Sequence, residues 1–186
     1  QRSSRSLCGA TRRTYRGGDV SDCLIGFLFA ESLDKIIRRF MIPNEDEYYM
    51  SLALKQAERA LEDEEIPVGA VVVCQGKIVA KAYNQTEILT DVTAHAEMIA
   101  ITSAAQTIGA KYLKDCTLYV TLEPCLMCAG AIYWSQLGRL VYGASEEKRG
   151  FEKLGKGILH PKTEIVGGVL ANESEQLLKE FFSMRR

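Results

Sequence analysis

Two hydrophobic periods alternate along the chain from Asn44 onward. Tyr49, Leu52, Ala53, Ala57, Ala60 and Leu61 recur at helical spacing behind a capping box formed by Asn44 and Glu47, with an acidic first turn that suits the helix dipole. Residues 68–74 are a β-branched run, Gln75-Gly76 is a turn, and 77–83 alternates again, which predicts a hairpin. Residues 84–92 are polar and loop-like. Thr93 is then a candidate cap for a helix over about 94–105. A buried-looking strand at 116–122 is broken by Glu123-Pro124, and an apolar helix follows over about 126–135. Residues 139–143 read as a strand, 145–162 as a charged, glycine-containing loop, and 164–170 as a last strand. Asn172-x-x-Glu175 has the form of a capping box for a terminal helix. Strands interspersed with helices in this order predict a three-layer α/β/α sandwich around a five-stranded mixed sheet.

Residues 1–40 do not share this patterning. Residues 1–18 hold five arginines, several Ser and Thr and no acidic residue. That composition suits a transit peptide or a dispensable tail, and 20–40 is only mildly amphipathic. The division expected is a dispensable N-terminal extension at 1–40 and one domain at 41–186, with Met41 as the expected natural start. The charge splits the same way: a net of +4 in the first 40 residues and −5 in the remainder makes the total of −1. An acidic body offers no broad electrostatic footprint for nucleic acid. A nucleic-acid partner would therefore depend on local basic groups: Lys148, Arg149, Lys153, Lys156 and Lys162 in the long loop, and Arg185-Arg186 at the end. No apolar run approaches the roughly 20 residues of a membrane span.

Of six cysteines, only Cys125 and Cys128 are closely spaced, which reads as a reduced protein with one C-x-x-C site and not as a disulfide framework. A reduced protein places the expected location in the cytoplasm, with an organelle address in residues 1–40 as the alternative. Cys74 and Cys116 read as small buried hydrophobes in strands. Two short motifs begin predicted helices: His95-Ala96-Glu97 and Pro124-Cys125-Leu126-Met127-Cys128. Taken singly, each has an ordinary reading: a redox pair, a helix histidine, a solvated first-turn acid. Together they form a metal site. Cys125 and Cys128 share one face of a helical turn, and helix N-termini favour thiolate. With His95 they make an imidazole and two thiolates, a donor set suited to zinc. A fourth protein ligand is hard to find, since His160 is the other histidine and reads as a turn residue before Pro161. Catalytic zinc sites keep a position for water, whose pKa falls to about 7. Glu97 would supply the general acid–base group such a site needs.

The paired motifs resemble the zinc deaminase superfamily. Longer strings resemble the bacterial tRNA-specific adenosine deaminases: Val68-Gly69-Ala70-Val71-Val72-Val73, Thr93-Ala94-His95-Ala96-Glu97, Leu118-Tyr119-Val120-Thr121-Leu122-Glu123-Pro124-Cys125, Met127-Cys128-Ala129-Gly130-Ala131-Ile132 and the terminal Phe181-Phe182-Ser183-Met184-Arg185-Arg186. The likeness runs from about Glu47 to the end and implies a cytidine deaminase-like fold. It also implies one zinc per subunit and a homodimer whose active sites draw on both chains. The reaction implied is hydrolysis of the wobble adenosine of a tRNA anticodon to inosine. By this resemblance Asn84 and the main-chain amide of Ala96 face the target base, and Glu146 stands where the family usually has an aspartate near the ribose. The stretch 150–165 is shorter than in family members. Two other functions fit parts of the pattern: deamination of a free guanine, cytosine or related base, and a non-catalytic, zinc-stabilised RNA-binding module.

Overall fold

Helix α1 (Glu45–Glu62) starts where expected. The Asn44 side chain caps it by accepting the Glu47 N–H at 3.4 Å, and Glu45, Asp46 and Glu47 fill its first turn. The computed structural model describes residues 44–185, so the extension expected at 1–40, Met41 and Arg186 lie outside the described residues. After α1, Glu64 takes a left-handed conformation (φ 59°) and the Glu65 N–H reaches back to the Ala60 carbonyl at 2.8 Å. This turn directs Glu65 inward, where it is fully buried.

Strands β1 (Gly69–Cys74) and β2 (Lys77–Tyr83) form the expected hairpin through Gln75 and Gly76, both at positive φ, as a tight hairpin turn requires. Helix α2 (Ala96–Ile108), strand β3 (Cys116–Leu122), helix α3 (Leu126–Trp134), strand β4 (Arg139–Ala144), strand β5 (Glu164–Val166) and helix α4 (Ala171–Met184) follow. The sheet order is β2-β1-β3-β4-β5, antiparallel up to β3 and parallel from β3 to β5. The expected three-layer sandwich with a five-stranded mixed sheet is therefore the observed fold.

The pleat sorts side chains between two cores. Val71, Val73, Tyr119 and Val141 face Tyr49, Met50 and Ala53 of α1. Ala70, Val72, Leu118, Val120 and Leu140 face Ala96, Ala100 and Ala104 of α2 and Ala129 and Ile132 of α3. Each fully buried Val, Leu or Met in these layers contributes roughly 1.5–3 kcal/mol. The small residues of α1 have a particular purpose. A Cβ on Gly69 would overlap the Ala53 carbonyl and the Ala57 nitrogen, so glycine lets β1 and α1 lie in backbone contact. At the other end of α1, Arg139 of β4 grips Asp46 with two nitrogens, at 2.6 and 2.9 Å, and Tyr119 donates to the same carboxylate at 3.1 Å.

Three sequence expectations need correction. Thr93 does not cap α2; its N–H and hydroxyl both donate to Asp91, at 2.8 and 2.7 Å, and His95 becomes the N-cap residue without a capping side chain. The last strand ends at Val166 because Gly167 and Gly168 (φ 86°) turn the chain out of the sheet. Asn172 lies inside α4, whose N-cap is Leu170 in a left-handed conformation, and the Ser174 hydroxyl donates to the Leu170 carbonyl at 3.1 Å. The loop at 145–162 also has more order than its composition suggests: two 3₁₀ turns (Phe151–Leu154 and Lys156–Ile158), with Phe151 and Leu159 buried. Among the described residues no helix is long and apolar enough to cross a membrane.

Candidate metal centre and active site

Both motifs sit at helix starts, and both metal-binding starts are N-cap positions. His95 precedes α2 and Cys125 precedes α3, each extended (φ −71°), with Cys128 in the first turn of α3. An N-cap side chain ordinarily accepts from its own helix; here neither does, and both are free to face the other helix. The His95 Nδ1 lies 3.7 Å from Cys125 Sγ and 3.5 Å from Cys128 Sγ, and the three donor atoms fall within 4.8 Å of one another. Zinc–sulfur and zinc–nitrogen bonds of about 2.3 and 2.0–2.1 Å in a tetrahedron place nitrogen and sulfur about 3.6 Å apart. The three residues fit a single zinc ion, one per subunit. His95 and Cys125 are half-buried and Cys128 is buried, so one side of the set stays approachable.

Among themselves the three donors share protons. Hydrogen bonds from Cys128 first, and then from His95, hold the Cys125 thiol down to about 3. The same bond to Cys125, reinforced by burial, pushes the Cys128 thiol above its ordinary range. His95 is raised, chiefly by its bond to Cys125. Without a metal the set therefore favours a single thiolate, at Cys125; a divalent ion requires both thiolates and a neutral imidazole, so its binding displaces the protons held by Cys128 and His95. Glu97, one residue into α2, is buried, and burial pushes its carboxyl upward from the usual range. A carboxyl raised in this way suits proton transfer near neutral pH. Ala96 is fully buried and is the first residue of α2, where an N–H has no intrahelical carbonyl to bond.

Asn84 lies just past β2 and is buried. Its neighbour Gln85 donates to the carbonyl of Ala94, which immediately precedes His95, at 3.0 Å. Asn84 is held by its amide nitrogen, which donates to Glu65 and Thr86. Glu146 is half-exposed and turned to its own loop, where its carboxylate accepts the Lys148 N–H at 2.8 Å. His160 packs on the Tyr133 ring at 5.8 Å and accepts the Lys162 N–H, a turn role as expected. Lys148, Arg149, Lys153 and Lys162 are exposed. Lys148, Lys179, Phe182 and Arg185 line an open groove of about 760 Å³ between the loop after β4 and α4. Arg185 also stacks on Phe181 and donates to the Glu64 carbonyl at 2.5 Å.

Sequence reasoning missed two buried acids that hold the site's loops. Glu123 accepts the N–H groups of Glu146 and Glu152, each at 2.9 Å. A Cβ on Gly150 would overlap that carboxylate, and Gly150 pairs as a β-bridge with Cys125. Glu123 therefore ties the loop after β4 to the metal-binding turn. Glu65 ties the stretch after β2 to the turn that follows α1. The available signal was an acid one or two positions before a proline, just past the end of an element: Glu65-Ile66-Pro67 and Glu123-Pro124.

Residues 43–144 match the family described as the cytidine and deoxycytidylate deaminase zinc-binding region. The chain is 42% identical over 145 residues to the tRNA-specific adenosine deaminase of Aquifex aeolicus, covering 75% of this chain and 95% of that protein. It is 46% identical over 144 residues to the tRNA-specific adenosine deaminase of Rickettsia bellii, covering 74% and 99%. A solved structure from work on A-to-I editing by tRNA:A34 deaminases at the wobble position superposes with a TM-score of 0.66 at 40% identity, covering 70% of this chain and 99% of that one.

Proposed function

Because the chain belongs to the zinc-binding cytidine and deoxycytidylate deaminases and, within them, to the tRNA-specific adenosine deaminases, we propose that it hydrolyses the wobble adenosine of a tRNA anticodon to inosine. The observation that carries the chemistry is the His95/Cys125/Cys128 triad with a buried carboxylate, Glu97, on the same helix start as the histidine.

Zinc held by His95, Cys125 and Cys128 supplies Lewis acidity that lowers the pKa of a water to about 7. Glu97 takes a proton from the attacking water and delivers it to N1 of adenine as the new C6–O bond forms. It then carries the second proton to the exocyclic nitrogen, and the C6–N6 bond breaks to release ammonia. The products are inosine and ammonia from adenosine and water. The amide of Ala96, at the positive end of α2, donates toward the base, and Asn84 contacts it from the end of β2. Glu146 stands near the ribose in this reading, and its bond to Lys148 N–H makes it the first contact to test separately. An anticodon loop lets a base turn out of its stack at less cost than a paired one does. The exposed lysines of the loop after β4, with Lys179 and Arg185, supply the local positive charge for the RNA backbone, which the acidic total does not.

The catalytic unit is the domain at 41–186, with 1–40 a dispensable extension, acting in the cytoplasm as a homodimer. Leu126 and Trp134, exposed at the two ends of α3, are apolar side chains that a second copy would cover. Incubating the zinc-loaded protein with unmodified tRNA, and separately with free bases, tests the reading. Inosine from tRNA supports it; ammonia from guanine or cytosine with no inosine in the tRNA refutes it.

A further inference from the structure

Glu65 is fully buried in the turn after α1, yet the partners of its side chain all lie on the stretch after β2. Its Oε1 accepts the N–H groups of Glu87 and Ile88, at 2.7 and 2.9 Å. Its Oε2 accepts from the Asn84 amide nitrogen and the Thr86 hydroxyl, both at 3.0 Å. Asn84 Nδ2 donates a second time, to Thr86 Oγ1 at 3.1 Å. With four donors around it, Glu65 serves purely as an acceptor. An amide facing such a group has one workable orientation: nitrogen inward, oxygen away.

We infer that Glu65 is a positioning residue that sets the orientation of the Asn84 amide and thereby which hydrogen-bonding edge of a base the site accepts. The inference rests on the reading of Asn84 as a base contact. Four observations carry it: the zero exposure of Glu65, its grip on the amide nitrogen, its grip on the backbone of the same loop, and the tie from Gln85 to the carbonyl before His95. A buried polar contact of fixed polarity discriminates strongly against a mismatched ligand, because the mismatch leaves polar groups unpaired.

The substitution Glu65→Gln separates these functions. Glutamine keeps one oxygen for the Glu87 and Ile88 N–H groups and turns its NH₂ toward Asn84. The Asn84 amide must then invert, oxygen inward, while the Thr86 hydroxyl rotates to suit. Steady-state kinetics on an anticodon stem-loop would compare wild type, E65Q, N84A and the double variant, after zinc content is shown equal. E65Q is expected to lower kcat/KM by about tenfold or more. The double variant is expected to match N84A alone, because Glu65 acts through Asn84. If N84A loses activity while E65Q stays within about twofold of wild type, or if the two losses multiply in the double variant, the inference is overturned. Full activity in N84A would instead refute the base-contact reading of Asn84 and this inference with it, leaving the deaminase reading standing on inosine formation. Should E65Q unfold below the assay temperature, the N84D background gives a second readout. There a carboxylate faces Glu65, so adding E65Q restores a donor–acceptor pair and raises both Tm and kcat/KM above N84D; no rescue overturns the inference.

Discussion

Glu123→Gln tests how the metal-binding turn is held. Glu123 is 5% exposed, and its two oxygens each accept one backbone N–H from the loop after β4, both at 2.9 Å. Glutamine has nearly the same shape but one acceptor oxygen, so one of the two N–H groups meets an NH₂ instead. A lost charge-assisted bond in a buried setting costs about 1.5–3 kcal/mol, and the surviving bond weakens with the loss of charge. The expected destabilisation is about 3 kcal/mol, a large share of a typical domain's stability. For a domain of this size that lowers Tm by about 6–12 °C. Thermal unfolding of the zinc-loaded protein by circular dichroism reads the global effect. Hydrogen exchange reads the local one: the amides of Glu146 and Glu152 are expected to lose protection, while that of Leu118, in the centre of the sheet, keeps it. A Tm within about 2 °C of wild type, with both loop amides still protected, would refute the assignment of Glu123 as the tie.

Glu97→Gln is expected to retain stoichiometric zinc and lose about 10²–10⁴ in kcat, read by inosine formation beside metal analysis. Gly69→Ala drives a methyl into the α1 backbone at Ala53 and Ala57 and is expected to cost about 3 kcal/mol or prevent folding, seen in urea unfolding. Asp46→Asn concerns pH. The Arg139 guanidinium beside Asp46 holds its carboxyl below the usual carboxylate range. A carboxylate whose folded pKa is depressed contributes stability above its unfolded value, near 3.9, and loses it as pH falls through the folded value. Urea midpoints are therefore expected to show wild type more stable than D46N at pH 7, by about 1 kcal/mol given the pair's solvent screening, with the gap closing below about pH 4.

The fold was legible where burial enforced a period. The helix at Glu45–Glu62, the hairpin and the strand at 116–122 carry their inward faces in the sequence, and the structure packs those faces. Element ends were less legible because side chains there compete for backbone donors. Thr93 has the chemistry of a cap, but its N–H and hydroxyl hold it in a turn with Asp91 ahead of the helix, and the cap position passes two residues on to a metal ligand. Asn172 likewise has capping chemistry, but the turn at Gly167 and Gly168 delivers the chain so that Leu170 opens the helix. The triad was legible because its donors lie in two short strings that each begin a helix. Glu65 and Glu123 were not, since their importance lies in partners about 20 to 30 residues away that only the fold brings near.

The most direct measurement follows a defined anticodon stem-loop incubated with the zinc-loaded protein and reads each position by sequencing, where inosine pairs as guanosine. Conversion confined to the wobble adenosine, lost in E97Q, is the expected result. An unchanged stem-loop from fully metallated wild-type protein, or conversion that persists in E97Q, would contradict the account.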